Sequence, residues 1–230
     1  MLELHDITLT QDDFTLRADM TIPQAARVAI IGASGAGKST LLALISGFLA
    51  PDRGRILWNG QDITDLPPGQ RPISFLFQHH NLFPHLTVAQ NIGLGLRPDL
   101  RLDRDQHRRV AGALEQVGLS GMGPRRPASL SGGQQSRVAL ARVLLRSRPV
   151  LLLDEPFAAL GPALKSGMLE LLAGIAADTK ATVLMVTHDP QDARSLAPET
   201  ILIEAGAAHP PTPTGPLLDN PPPGLRAYLG

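Results

Sequence analysis

The 230-residue sequence contains no cysteine, and its 21 lysines and arginines are balanced by 21 aspartates and glutamates. The lack of cysteine excludes disulfide bonds, thiol catalysis and metal sites built from cysteine. A general affinity for nucleic acid usually shows as a basic surplus, which this chain does not have. We therefore expect no nucleic-acid partner.

Long apolar runs are also missing. The stretch 41–50 is among the longest, and it falls well short of the roughly 20 residues that cross a bilayer. Residues 1–6 carry neither the basic nor the apolar segment of a secretion signal. We expect a cytoplasmic protein, in which any membrane role comes through a partner.

A glycine-rich phosphate-binding motif occupies residues 32–39, with the sequence GASGAGKS. Glycines let successive backbone N–H groups turn towards a phosphate, and the following helix presents the positive end of its dipole. In this pattern Lys38 reaches the β- and γ-phosphates, and the Ser39 hydroxyl binds Mg²⁺. The apolar run 27–31 predicts a buried strand before the motif, and residues 41–45 predict a helix after it. The alternative is a strand-to-helix turn without a ligand, which this full match disfavours.

The remaining pattern predicts an α/β fold, a P-loop NTPase core with a mainly parallel sheet. Apolar runs without alternation at 73–77, 150–153, 181–186 and 201–203 are typical of buried parallel strands. Alternation over 14–22, and a strand at 56–58 that enters an Asn-Gly turn, predict an antiparallel β layer. Between Gln78 and Leu130 no comparable strand occurs, and helical spacing predicts an inserted helical subdomain.

We expect a single domain of three parts. The nucleotide-binding core takes residues 1–84 and 146–205, and the helical subdomain takes 85–145. Residues 206–230 form a C-terminal tail, with seven prolines between 210 and 223. That density of proline predicts an extended or loosely docked segment.

Polar residues follow the predicted strands at the edge where parallel sheets bind ligands. Asp154 is placed to hold Mg²⁺, and Glu155 to polarise the water that attacks the γ-phosphate. His188 and Gln78 end two further apolar runs and are placed to face the same phosphate. Two structural alternatives remain open: Glu155 as an acid at a helix N-terminus, and His188 as a hydrogen-bonding residue.

A second phosphate-binding candidate is the run 130–134, LSGGQ. Ser131 is predicted to cap a helix that continues to Leu145, and the two glycines allow a phosphate to approach closely. Alone, the pentapeptide is compatible with a simple helix cap.

Together these motifs resemble, in order and spacing, those of ABC-type ATPases. Residues 32–39 are similar to the phosphate loop, Gln78 to the Q-loop, 130–134 to the signature motif, Asp154 with Glu155 to the second acidic motif, and His188 to the switch histidine. The resemblance covers essentially residues 1–205.

The resemblance implies ATP and Mg²⁺ as ligands and a head-to-tail homodimer with two ATP molecules at its interface. Each ATP is held by one chain's phosphate loop and the other chain's signature, so Ser131 and Gly133 act in trans. The implied residues are Glu155, His188 and Gln78 for catalysis, Ser39, Gln78 and Asp154 for the metal, and Gly32, Ala33, Ser34, Gly35, Ala36, Gly37, Lys38, Ser39, Thr40, Ser131, Gly133 and Gln134 for the nucleotide.

The resemblance also implies a peripheral position on the cytoplasmic face of a bacterial inner membrane. Gln78 signals to a transmembrane permease, whose cytoplasmic helix lies in a groove near residues 79–85, and a periplasmic solute-binding protein delivers the solute. The stretch 75–96 is similar to ATP-binding subunits of bacterial thiamine importers, which implies thiamine as the solute.

The alternatives are an importer ATPase for another small solute and a weakly hydrolysing nucleotide-binding regulator. A soluble ABC-type protein acting on DNA or ribosomes fits the neutral charge poorly.

The chain departs from the family pattern at three positions. Gly161 replaces an aspartate that normally helps to join the two sites, which predicts weaker coupling between them. Ser136 replaces a basic or amide side chain, and Leu9 lies near the usual adenine-stacking aromatic residue. Phe14 is an alternative stacking partner, although its strand position favours a role in the core. These changes predict weaker and less base-selective nucleotide binding.

Overall fold

The computed structural model describes residues 1–78 and 81–229, within which eleven strands form one mixed sheet. The strands are β1 (Leu2–Gln11), β2 (Phe14–Ile22), β3 (Arg27–Ile31), β4 (Arg53–Trp58), β5 (Gln61–Asp62), β6 (Ile73–Leu76), β7 (Val150–Asp154), β8 (Thr182–Val186), β9 (Glu199–Glu204), β10 (Ala207–Ala208) and β11 (Thr212–Pro213). The helices are α1 (Lys38–Ser46), α2 (Val88–Gly93), α3 (Arg104–Gln116), α4 (Gly132–Leu145), α5 (Pro162–Thr179), α6 (Pro190–Leu196), α7 (Thr214–Asp219) and α8 (Pro223–Leu229), with a 3₁₀ turn at Pro127–Ser129.

The centre of the sheet is parallel, in the order β9, β3, β8, β7, β6. Strands β7 and β8 are buried along their whole length, because helices cover both faces of a parallel sheet. Beyond β9 and the short β10, the strands β2, β1, β4 and β5 pair in an antiparallel layer. The predicted α/β fold with an antiparallel β layer is confirmed.

Two buried apolar clusters lie on the faces of the parallel sheet. One joins the inner face of the antiparallel layer to α1, with Leu2, Leu16 and Leu41 fully buried. The other packs α5 and α6 on the opposite face. In the described part of the chain, no helix combines the length and apolar character needed to cross a membrane.

Three helices follow β6 and form a third apolar cluster. Buried side chains of α2, α3 and α4 meet there, among them Val88, Val110 and Val138. Asp103 caps α3 and exchanges hydrogen bonds with Gln106, which fixes where the helix begins. The predicted helices of the inserted subdomain are therefore present, and its limits at residues 85 and 145 stay a prediction.

The prediction of an extended or loosely docked C-terminal tail is wrong. Residues 207–229 add two short strands and two helices, and Leu218 and Leu225 are buried, at 9% and 1% exposure. Strand β10 pairs with both β2 and β9. Pro223 is the first residue of α8, where proline is tolerated because its missing N–H would have no helical partner.

Arg71 is buried at 1% exposure and fixes the end of the helix that follows the phosphate-binding motif. Its Nη1 donates to the carbonyl oxygens of Leu44 and Ile45, both at 2.8 Å. Its Nε donates to the carbonyl oxygen of Leu66 at 2.8 Å, and its Nη2 donates to the carbonyl oxygen of Thr64 at 2.5 Å. One side chain thus satisfies carbonyls at the C-terminus of α1, which have no partner within the helix. Burial lowers the pKa of Arg71, and the neighbouring aspartates oppose this effect.

Replacing Arg71 by methionine should destabilise the protein by about 3 kcal/mol, because four carbonyls lose a charged donor inside the core. Urea denaturation of the wild type and the variant gives the difference in their free energies of unfolding. The control is Arg53→Met, because Arg53 pairs with Asp6 at the surface, where both side chains are mostly exposed. Exposed pairs contribute about 1 kcal/mol or less. Equal effects of the two substitutions would contradict the role of Arg71.

Candidate nucleotide-binding site

The phosphate loop connects the end of β3 to the start of α1, and two of its glycines have no substitute. Gly37 has φ of 107°, and a β-carbon there would lie 2.6 Å from Cζ of Phe14. At Gly32 an added β-carbon would lie 2.3 Å from the carbonyl oxygen of Ile203 in β9. Both close approaches need glycine, because no other residue has space for its side chain. The loop is therefore packed between β9 and the first residue of β2.

Lys38 bridges the phosphate loop. Its Nζ donates to the carbonyl oxygens of Gly32 and Ala33, at 2.7 Å and 2.9 Å. Burial lowers the pKa of Lys38, while Glu155 and Asp154 oppose this shift. The ammonium group is thus held at the loop, beside the two carboxylates.

Asp154 ends β7 and accepts a hydrogen bond from the Ser39 hydroxyl. Asp154 is 8% exposed, and burial raises the pKa of its carboxyl group, although the Ser39 hydrogen bond and Lys38 act in the opposite direction. A carboxylate and a hydroxyl on adjacent elements are the hard oxygen ligands that Mg²⁺ takes. The residues present therefore fit a magnesium ion.

Glu155 lies where three strand ends meet. Its Oε2 accepts a hydrogen bond from Nε2 of Gln78 at 3.4 Å, and Nδ1 of His188 lies 3.5 Å from the same oxygen. The backbone of Glu155 has φ of 44°, an uncommon conformation that costs free energy and concentrates at functional sites. The three predicted catalytic residues are brought together around one carboxylate oxygen.

One of the two structural alternatives for these residues is disfavoured. Helix α5 begins only at Pro162, so Glu155 does not lie in its first turn. The alternative for His188, a hydrogen-bonding residue, stays open, because its Nδ1 lies close to Glu155 while its side chain is 56% exposed. Both side chains remain accessible from the edge of the sheet.

The run 130–134 forms the capped start of α4. The Ser131 hydroxyl accepts from the backbone N–H of Gln134 at 3.3 Å, and the Gln134 side-chain oxygen accepts from the Ser131 N–H at 3.0 Å. Gly133 faces Leu160, whose Cδ2 would lie 2.8 Å from an added β-carbon. These bonds of Ser131 and Gln134 stay within the cap, so a nucleotide role for the two residues remains a prediction.

The sequence does not decide which residue faces the adenine, and Leu9 and Phe14 are the two candidates. Leu9 is 6% exposed and belongs to the core cluster. Phe14 is partly buried, packs on the same cluster and touches the phosphate loop at Gly37. The structure therefore places Phe14 where it supports the loop, a contact that the alternation of β2 alone does not reveal.

Aromatic side chains cluster on the surface next to Gln78. Phe75 and Phe77 lie with ring centroids 4.2 Å apart, and Phe48 packs edge-on against both. Phe48 and Phe83 are exposed, at 52% and 46%. Phe75, Phe77 and Phe83 line a cavity of about 280 Å³. The predicted groove at residues 79–85 includes His79 and His80, which lie outside the described residues.

Comparison with known proteins agrees with this geometry. The family model described as ABC transporter matches residues 16–158. A thiamine import ATP-binding protein of Cereibacter sphaeroides is 61% identical, and one of Ruegeria sp. is 55% identical, each over the full length of both chains. One of Yersinia pseudotuberculosis is 52% identical, over 96% of this chain and 93% of its own.

A solved ATP-binding cassette, a dimer in a post-hydrolysis state bound to ADP and Pi, superposes with a TM-score of 0.83. It is 29% identical, and the match covers 93% of this chain and 99% of that one. The family model and the full-length relatives together show that the chain belongs to the ABC transporter family.

Proposed function

We propose that the chain is the ATP-hydrolysing subunit of a bacterial thiamine importer. The observation that carries this proposal is the meeting of Gln78 and His188 on one oxygen of Glu155, at the same sheet edge as Lys38. An acid held in this way is suited to orient and polarise an attacking water. The full-length relatives are named thiamine import ATP-binding proteins, which supports the solute.

Each residue has a distinct role in the reaction. Lys38 binds the β- and γ-phosphates through its ammonium group, and the backbone N–H groups of the phosphate loop hold the β-phosphate. Glu155 accepts a hydrogen bond from the water that attacks in line, and His188 and Gln78 orient that water and the γ-phosphate. Ser39, Gln78 and Asp154 would hold Mg²⁺. The ion, when bound, offsets the negative charge that accumulates on the phosphate oxygens.

A second copy of the chain completes the site. The signature turn with Ser131 and Gly133 presents the N-terminus of the 14-residue helix α4, which favours an anionic phosphate. Within one chain, Gly133 packs on Leu160. The solved cassette that resembles this chain is a dimer bound to ADP and Pi. These observations support a head-to-tail homodimer in which each signature faces the other chain's phosphate loop.

The aromatic surface near Gln78 fits a membrane partner. Exposed Phe48 and Phe83 are unusual on a surface that faces water, and such patches commonly mark protein interfaces. The cavity lined by Phe75, Phe77 and Phe83 has room for a few side chains of a short helix. We assign this surface to the cytoplasmic helix of a permease, which places the chain peripherally at the inner membrane, with a periplasmic solute-binding protein on the other side.

Glu155→Gln should lower ATP hydrolysis by about a hundredfold or more, because an amide accepts the water's proton poorly. ATP binding should persist, and dimers should accumulate with ATP in sedimentation experiments. The matched control is Glu170→Gln, an exposed glutamate on α5, which should hydrolyse ATP at the wild-type rate. Undiminished hydrolysis by Glu155→Gln would overturn the assignment of the water-polarising residue.

The solute assignment is tested in the assembled transporter. Thiamine, supplied with its binding protein, should stimulate ATP hydrolysis by the complex reconstituted in lipid, because solute delivery is coupled to closure of the ATPase dimer. A scan of other small solutes serves as the control. Stimulation by another solute and not by thiamine would refute thiamine as the solute while leaving the importer ATPase in place.

A further inference from the structure

A partly buried ion cluster includes Asp189, the residue that follows His188. Nζ of Lys165 on α5 lies 2.6 Å from Oδ2 of Asp189 and 2.8 Å from Oδ1 of Asp192. The side chains of Lys165 and Asp192 are only 16% and 9% exposed. The hydrogen bond from Lys165 holds the pKa of Asp189 below its ordinary value. The Asp189 side chain is 34% exposed, so the charge that removal of Lys165 would leave buried without a partner is that of Asp192.

The same acids fix the backbone on both sides of His188. Thr187, which precedes the histidine, donates from its hydroxyl to Oδ2 of Asp192 at 2.9 Å. Asp189, which follows it, donates its backbone N–H to the Thr187 hydroxyl at 3.1 Å. Asp189 also caps α6 by accepting from the N–H of Gln191 at 2.9 Å. The imidazole thus projects from a turn whose two flanking residues belong to the Lys165 network.

The other end of this connection reaches the signature turn. Leu160 packs against Gly133, and α5 begins two residues later, at Pro162. The backbone N–H of Lys165 donates to the carbonyl of Gly161 at 2.9 Å, so Lys165 lies in the first turn of the helix. One short, hydrogen-bonded stretch therefore joins the residue that faces Gly133 to the lysine that holds the histidine turn.

We propose that Lys165 is a positioning residue for His188, which ties the location of the histidine to that of the chain's own signature turn. The inference rests on the proposed function, because it needs His188 to act on the γ-phosphate. Lys165 itself touches no reacting atom. It sets the imidazole next to Glu155 by fixing the turn at Thr187 and Asp189, and it transmits displacement of the signature turn through α5.

Lys165→Met should lower kcat of the assembled transporter by about tenfold or more, because small misplacements of a catalytic group are costly. The KM for ATP should change little, since the phosphate loop is untouched. Lys165→Arg should restore most of the rate, because its guanidinium reaches both carboxylates. A role in stability alone would not produce this split between kcat and KM at a temperature where all variants are folded.

The matched control is Arg194→Met, on the same helix as Asp192. Arg194 pairs with Asp219 at 2.5 Å in a more exposed setting, so its loss should leave kcat unchanged. Unfolding temperatures establish that each variant is folded. If Lys165→Met does not fold, Lys165→Gln replaces it, because the amide still donates to one carboxylate without the charge, and an intermediate kcat is expected.

Three results would overturn the inference: a wild-type kcat for Lys165→Met or for its substitute Lys165→Gln, an equal loss in Arg194→Met, or no recovery in Lys165→Arg. These results leave the proposed function standing, provided that wild-type hydrolysis depends on Glu155. If the wild-type transporter does not hydrolyse ATP, the proposed function itself fails, and this failure is seen before any Lys165 variant is compared.

Discussion

The parallel pairing of β6, β7, β8 and β3 is the constraint on which the site depends. Parallel strands end at the same edge of a sheet, so residues far apart in sequence are brought to one line. Asp154 pairs with Val186, and Val186 pairs with Ile30, which fixes the distance between the acidic pair, the histidine turn and the phosphate loop. The geometry of the proposed catalytic residues thus depends on the backbone hydrogen bonds of the parallel sheet.

Contacts from outside the motif add to the Lys38 hydrogen bonds that hold the phosphate loop in shape. The Ile203 carbonyl and the Phe14 ring approach Gly32 and Gly37 too closely for any side chain. Arg71 satisfies the carbonyls at the far end of α1. Because the loop and the far end of the helix that follows it are both fixed, the loop can present its N–H groups to a phosphate without reorganising, which favours binding.

Much of this arrangement could be predicted from the sequence, because it depends on local patterns. The strands were recognisable as uninterrupted apolar runs, and the meeting of Gln78, Glu155 and His188 follows from their positions after those runs. The roles of Arg71 and Lys165 could not be predicted, since each has partners more than 20 residues away in the sequence: Leu44 and Ile45 for Arg71, and Asp189 for Lys165.

The C-terminal prediction failed for a physical reason. A high proline count argues against helices, but the position of each proline decides, because proline fits the first turn, where its missing N–H has no partner. The buried leucines at 218 and 225 then dock both helices on the core. The C-terminal helices are thus part of the scaffold that carries the proposed composite site. In the proposed dimer, glycine in place of aspartate at position 161 predicts that the two copies act with little coupling.

The most direct measurement of this composite site uses a transporter with one Lys38→Ala copy and one Ser131→Arg copy, purified through two different affinity tags. One site then has an intact phosphate loop facing an intact signature, and the other has neither. Its ATPase rate should be about half that of wild type, because weakly coupled sites contribute additively, while transporters with two copies of either variant should be inactive. If the mixed transporter hydrolyses ATP no faster than the transporters with two copies of one variant, the result would contradict a site shared between weakly coupled chains.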